Sequence, residues 1–156
     1  LGYVRSMARL SVAVDESFGR AGEFTRSLFG EERWTAAQIE GFVNEQRNVT
    51  IASTNTSGQP HAAVVIGGCV DDEIVFTVHP QSVLARNLTA NPRIGFSVCD
   101  RRHVVMGQGR AERVGNAAQC ADLISTLASA SVGGTFTPPD WDGDLYRIDI
   151  RRIFAS

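Results

Sequence analysis

From Asn48 onward the apolar positions of this chain recur every second residue, whereas just before it they recur at helical spacing. Val49, Ile51 and Ser53 alternate with Thr50, Ala52 and Thr54, a turn follows at Asn55-Thr56-Ser57-Gly58, and a second strand runs from Gln59 to about Gly67. This predicts a hairpin. In the second strand His61, Ala63 and Val65 share one face and Ala62, Val64 and Ile66 the other, so neither face is strongly polar. A strand buried on both sides, or lining an apolar pocket, has that pattern. The alternation resumes at Ile74, Phe76 and Val78, at Ile94, Phe96 and Val98, from His103 to Val114, and at Tyr146, Ile148 and Ile150. Gly107 and Gly109 predict a bulge, or the close approach of something flat.

The helical signals are fewer. Thr35 and Gln38 have capping-box spacing, with Trp34 and Ile39 at the staple positions, so a helix with Ile39, Phe42 and Val43 on one face begins there and ends near Arg47. Asn116 and Gln119 cap a later helix with a stripe of Cys120, Ile124 and Leu127. Gly133-Gly134 ends it, and Pro138-Pro139 stiffens a loop carrying Trp141. Phe18, Ala21, Gly22, Leu28 and Phe29 sketch a helical face that glycines weaken. Residues 1–33 are therefore read as an N-terminal extension, an arm or a packing element whose order the pattern does not fix, and 34–156 as one domain. Turns of a few residues between six strands imply antiparallel neighbours. The expected architecture is a mainly β, six-stranded antiparallel barrel with flanking helices.

The stretch TVHPQSVLARNLTANP, Thr77 to Pro92, leaves a strand and enters a short helix. The first amides of a helix have no partner within it and attract anions. If Ser82 caps the turn, Arg86 follows one turn later on the same face, and a phosphate held there would meet both. The competing reading is that Leu84 and Leu88 pack the helix on the sheet and Arg86 is solvated.

Composition narrows the chemistry. The 156 residues are 43% hydrophobic and 21% charged, the profile of an ordinary globular domain. All 15 basic residues are arginine. Without lysine there is no Schiff base, no covalent pyridoxal-phosphate chemistry and no P-loop. A net charge of −2 offers no broad footing for nucleic acid or an anionic membrane. No run approaches the roughly 20 apolar residues that span a bilayer, and no signal-sequence pattern opens the chain as given, so a cytoplasmic protein is expected. Without that signal, the sequons at Asn48, Asn55 and Asn87 are taken as chance. Cys69, Cys99 and Cys120 lack CxxC spacing, and His61, His79 and His103 are scattered, which argues against a metal site or a disulfide framework.

The segments SGQPHAAVVI, IVFTVHPQSVLARNLTANPRIGFSV and GRAERV, with the terminal LYRIDIRRI strand, resemble the pyridoxamine 5'-phosphate oxidase-like flavin-binding proteins, which have a split β-barrel fold. The resemblance implies a homodimer holding FMN, or a deazaflavin, in a groove between subunits. Ala63, Val64, Val65 and Ile66 would lie along the flavin and its ribityl chain. Thr77, Val78 and Ser82 would sit near the phosphate, with Arg86 from the local reading beside them. Members that bind the phosphate tightly often carry lysine where this chain has Leu84, and the oxidase proper carries arginine and lysine at the positions of Ala63 and Gly68.

Two functions follow. One is a flavin- or deazaflavin-dependent oxidoreductase, not pyridoxamine phosphate oxidation itself, acting on a small molecule. The other is a non-catalytic binder of flavin, heme or another tetrapyrrole, in which His61, His79 or His103 would be the axial ligand of a heme. No spacing designates a catalytic residue; His61 or His79 would be the proton donor of the first reading, or ordinary strand-end histidines.

Overall fold

The computed structural model describes residues 9–30, 33–130 and 142–156. In chain order these form α1 (Leu10–Gly19), α2 (Glu23–Phe29), α3 (Ala36–Gln46), β1 (Asn48–Thr54), β2 (Pro60–Val70), β3 (Glu73–Val78), α4 (Val83–Ala90), β4 (Arg93–Cys99), β5 (Val104–Asn116), α5 (Ala121–Ala130) and β6 (Asp144–Ala155). The six strands close in the order β1-β2-β3-β6-β5-β4, every pair antiparallel. The barrel with flanking helices is thus the one that the alternation predicts. The signals at Gly133-Gly134, Pro138-Pro139 and Trp141 lie outside the described residues.

The barrel interior follows from the two-residue period. Val49, Ile51, Ile74, Phe76, Ile94, Phe96, Val98, Ile148 and Ile150 all point into one buried cluster. Burying a side chain of that size contributes about 1.5–3 kcal/mol, so this alternation is the main source of the fold's stability. The β1–β2 hairpin closes through Asn55, whose Oδ1 accepts from the amides of Ser57 and Gln59, both at 2.9 Å. Gly58 takes the positive φ of +80° that the turn requires.

Helix α3 stoppers the barrel with Ile39, Phe42 and Val43. Its capping box is formed: the Gln38 amide donates to Thr35 Oγ1 at 3.2 Å and the Thr35 amide to Gln38 Oε1 at 2.8 Å. Asn44 then ties this helix to β2, its side chain bonding the amide of Cys69 at 2.7 Å and its carbonyl at 3.0 Å. That amide side chain does for the backbone what a neighbouring strand would do. At the other side Leu10, Ala13 and Val14 of α1 join the core, and Ser17 Oγ accepts from the amide of Ile153 at 2.9 Å. A second cluster beneath α5 gathers Cys120 and Leu127 with Val70, Val75 and Leu145. Asn116 and Gln119 bond each other's amides in the turn before α5, the reciprocal cap expected from their spacing.

Both readings of the β5 glycines are met. The β5–β6 register slips at Gln108/Gly109 and again at Arg113/Gly115. The flat object at Gly107 is the Phe96 ring: a Cβ there would lie 2.6 Å from Phe96 Cζ and would collide with the Arg152 carbonyl. Among the described residues no helix is long and apolar enough to cross a membrane.

Candidate functional site

Strand β2 changes neighbours part-way along. Its ladder with β1 covers Pro60 to Ile66, but its ladder with β3 begins only at Gly67, opposite Phe76. Between those points one edge of β2 has no strand partner among the described residues, and this is the split in the barrel. Thr77 Oγ1 donates across it to the Ile66 carbonyl at 3.1 Å. The backbone groups of residues 62–65 on that side are left to a ligand, to a partner or to water.

The two faces of β2 differ more than their composition suggests. Ala63 and Val65 are half-buried against the core. Val64 is 70% exposed and Ile66 is also exposed, so the second face is apolar yet uncovered by the described residues, where the sequence pattern predicts burial or a pocket lining. Register extends it: Val64 lies opposite Thr50, Thr50 opposite Ser97, and Ser97 opposite the exposed Met106. Side chains in register share a face, so this is one continuous band of apolar and small polar groups.

At the strand–helix junction, Ser82 caps α4 by accepting from the Ala85 amide at 3.1 Å. Arg86 is exposed one turn on and makes no ion pair among the described residues, while Thr77 and Val78 are buried just before the turn. Leu84 and Leu88 pack into the core, so the helix is anchored on the sheet with Ser82 and Arg86 left outside it. The two readings of this stretch therefore describe opposite faces of one helix. Gly68 has no room for a longer side chain, since a Cβ there would stand 2.9 Å from Leu127 Cδ2 and 3.0 Å from Asn44 Oδ1.

The three histidines separate clearly. His79 Nδ1 accepts from the Gln81 amide at 3.2 Å, and His103 Nδ1 lies 3.3 Å from Asp100 Oδ2, so both serve local turns. His61 Nδ1 is buried and has no hydrogen-bond partner among the described residues. It stands opposite Ser53, which in turn accepts from Asn87 Nδ2 of α4 at 3.0 Å. Among the described residues no cluster of histidine, cysteine and carboxylate groups suits a metal ion.

A cleft of about 720 Å³ lies elsewhere: at the C-terminal end of α4, over β1, β4 and β5, it is lined by Asn91, Arg93, Gln108, Arg110 and Arg151 among others. None of the residues that the sequence marks as cofactor contacts lines it. The arginines that do are distant in the chain, and their one sequence signal is that Arg93 and Arg110 occupy outward positions of adjacent alternating strands.

A closed antiparallel barrel split beside β2, with a serine-capped helix at the split, is a split β-barrel in its architecture. The family model for pyridoxamine 5'-phosphate oxidase matches residues 35–155, and the chain belongs to that family. A pyridoxine/pyridoxamine 5'-phosphate oxidase of Alcanivorax borkumensis is 25% identical over 111 residues, 68% of this chain and 52% of that protein. The chain thus spans about half the length of that curated relative. Among solved structures, an F420 reductase is 18% identical with a TM-score of 0.59, over 73% of this chain and 94% of the other. A heme binding protein from Mycobacterium smegmatis is 20% identical with a TM-score of 0.53, over 80% and 58% respectively. Those two likenesses show the shared fold.

Proposed function

We propose that this protein is an oxidoreductase that uses FMN or a deazaflavin, with the cofactor phosphate at the β3–α4 junction and the ring system along residues 63–66 of β2. The observation that carries the reading is the unpaired edge of β2 beside the capped terminus of α4. A flat ring with polar edges fits backbone groups that lack a strand partner, and a phosphate fits free helix amides flanked by Ser82 and Arg86. Family membership supports the same choice, as does the deazaflavin chemistry named for the F420 reductase. The bound cofactor supplies hydride transfer. The chain supplies the slot, the anion contacts and the exclusion of water, with His61 as the nearby group able to donate or accept a proton. Val64, Ile66 and Met106 form the face that a second copy would cover, making a homodimer with the groove at its seam.

The test is a titration of the purified chain with FMN and with riboflavin, followed by absorbance. Arg86→Ala should weaken FMN about 10- to 100-fold and leave riboflavin nearly unchanged, the loss of a charge-assisted bond of about 1.5–3 kcal/mol. Equal losses would remove Arg86 from the phosphate site, and no binding of any flavin or deazaflavin at micromolar concentration would end the proposal.

A second reading, a heme or tetrapyrrole carrier without catalysis, is favoured by His61 Nδ1, which is buried and has no hydrogen-bond partner among the described residues. A Soret band on adding hemin that is lost in His61→Ala would establish it in place of the first.

A further inference from the structure

The cleft at the far end of α4 has a construction of its own. An eight-residue helix is about 12 Å long, so this cleft and the Ser82 terminus are separate places. Its floor is made of small residues, Ala52 and Gly95, which pair directly across β1 and β4. Asn91 and Pro60 form its walls; Asn91 is held by donating from Nδ2 to Thr54 Oγ1 at 3.1 Å.

Its rim holds three arginines and, among the described residues, no carboxylate. Arg93 on β4 and Arg110 on β5 are direct cross-strand partners, an arrangement in which like charges repel. Arg110 lies opposite Asp149 on β6, but Asp149 Oδ2 already accepts from Arg151 at 2.6 Å. Arg151 reaches the rim because the β5–β6 register slips there: Gln108 faces Arg152 and Gly109 faces Ile150, leaving Arg151 as the extra residue of a bulge. The Asp149 carboxylate is thus engaged by Arg151, while Arg93 and Arg110 make no ion pair among the described residues.

We propose that this cleft is a second binding site, for a small molecule carrying a phosphate or diphosphate group. Planar guanidinium forks on three sides of a concave floor suit phosphate oxygens, and a dianion would turn the Arg93–Arg110 repulsion into bridged attraction. The volume matches that of small-molecule sites. A nucleic acid is disfavoured, because its backbone needs a basic surface that continues beyond one cleft, and this chain has net charge −2.

The experiment is calorimetric titration with inorganic diphosphate at low salt of the full chain carrying Arg86→Ala, which weakens the proposed cofactor phosphate site, and of the same chain with Arg93→Gln, Arg110→Gln, both, or Arg101→Gln, a change at an exposed arginine outside both sites. Each single change at Arg93 or Arg110 should lower the affinity about tenfold or more, the two together should abolish measurable binding, and Arg101→Gln should bind as its parent does. In anion-free buffer the Arg93→Gln and Arg110→Gln chains should melt at the parent's temperature or roughly 1–3 °C higher, because a repulsion has been removed. Unchanged affinity when Arg93 and Arg110 are both replaced, equal loss in Arg101→Gln, or no binding by the Arg86→Ala parent at millimolar diphosphate would overturn the proposal. Flavin binding is a separate readout: its absence with diphosphate binding intact would end the cofactor reading and leave this one standing.

Discussion

Asn87 of α4 donates from Nδ2 to Ser53 Oγ of β1 at 3.0 Å, and the two side chains are 4% and 3% exposed. This bond fixes how α4 sits across the end of the barrel, and so where Ser82 and Asn91 project from its two ends. Ser53→Ala leaves the buried Asn87 amide without that acceptor, at a cost of about 1–3 kcal/mol. Chemical denaturation should show this loss with an unchanged denaturant slope. A variant as stable as the wild type would mean that Asn87 finds another partner.

The β4–β5 turn should carry a pH signature. Asp100 Oδ1 accepts from the amides of Arg102 and His103, both at 2.7 Å, and these backbone bonds, then the His103 ring, hold its carboxyl below the usual range. A carboxyl whose folded value is depressed contributes stability above its unfolded value, about 3.9, and loses that contribution as pH falls through the lower folded value. Asp100→Ala should therefore melt below the wild type at neutral pH, and the gap should narrow below about pH 4. A gap of constant width between pH 7 and pH 2.5 would remove Asp100 from the linkage.

The three thiols should react at very different rates. Cys69 is pushed up to about 12, first by burial and then by Glu40, Asp72 and Glu73, and burial likewise raises Cys120. Cys99 is exposed at the end of β4. Because the thiolate is the attacking form, a thiol reagent at pH 8 should modify one cysteine quickly in the native protein and the others only on unfolding. Cys99→Ser should abolish the fast phase; a fast phase of two equivalents would show that one buried site opens.

How far the sequence reveals this molecule depends on the reach of each interaction. Thr35 with Gln38, Asn55 with Gly58, and Ser82 with Ala85 lie within four residues of one another, so their caps and turns are legible from spacing alone. The strands are legible because each inward face is apolar at every second position. Helix α1 is harder to see, since its buried residues Leu10, Ala13, Val14 and Ser17 include an alanine and a serine; their i, i+3, i+4, i+7 spacing is the signal to look for. The arginine cleft has no local signal beyond the outward positions of Arg93 and Arg110 on their strands. It exists only because the β4–β5 register sets Arg93 against Arg110 and a bulge brings Arg151 round to them. The exposed face of β2 misleads for a related reason: an apolar residue that awaits something outside the chain has the same letter as one already buried.

The open edge of β2 has a consequence for how this protein is handled. A strand with unsatisfied amides on one side and bare valine on one face is a template onto which another strand can add, and closed barrels ordinarily remove such templates. Here closure stops short over residues 60–66, and no lysine is available anywhere to guard the gap. A ligand or second copy bound along this edge would therefore also shield it against aggregation, so purification without one should favour association through β2, and saturating the edge should keep the protein in solution.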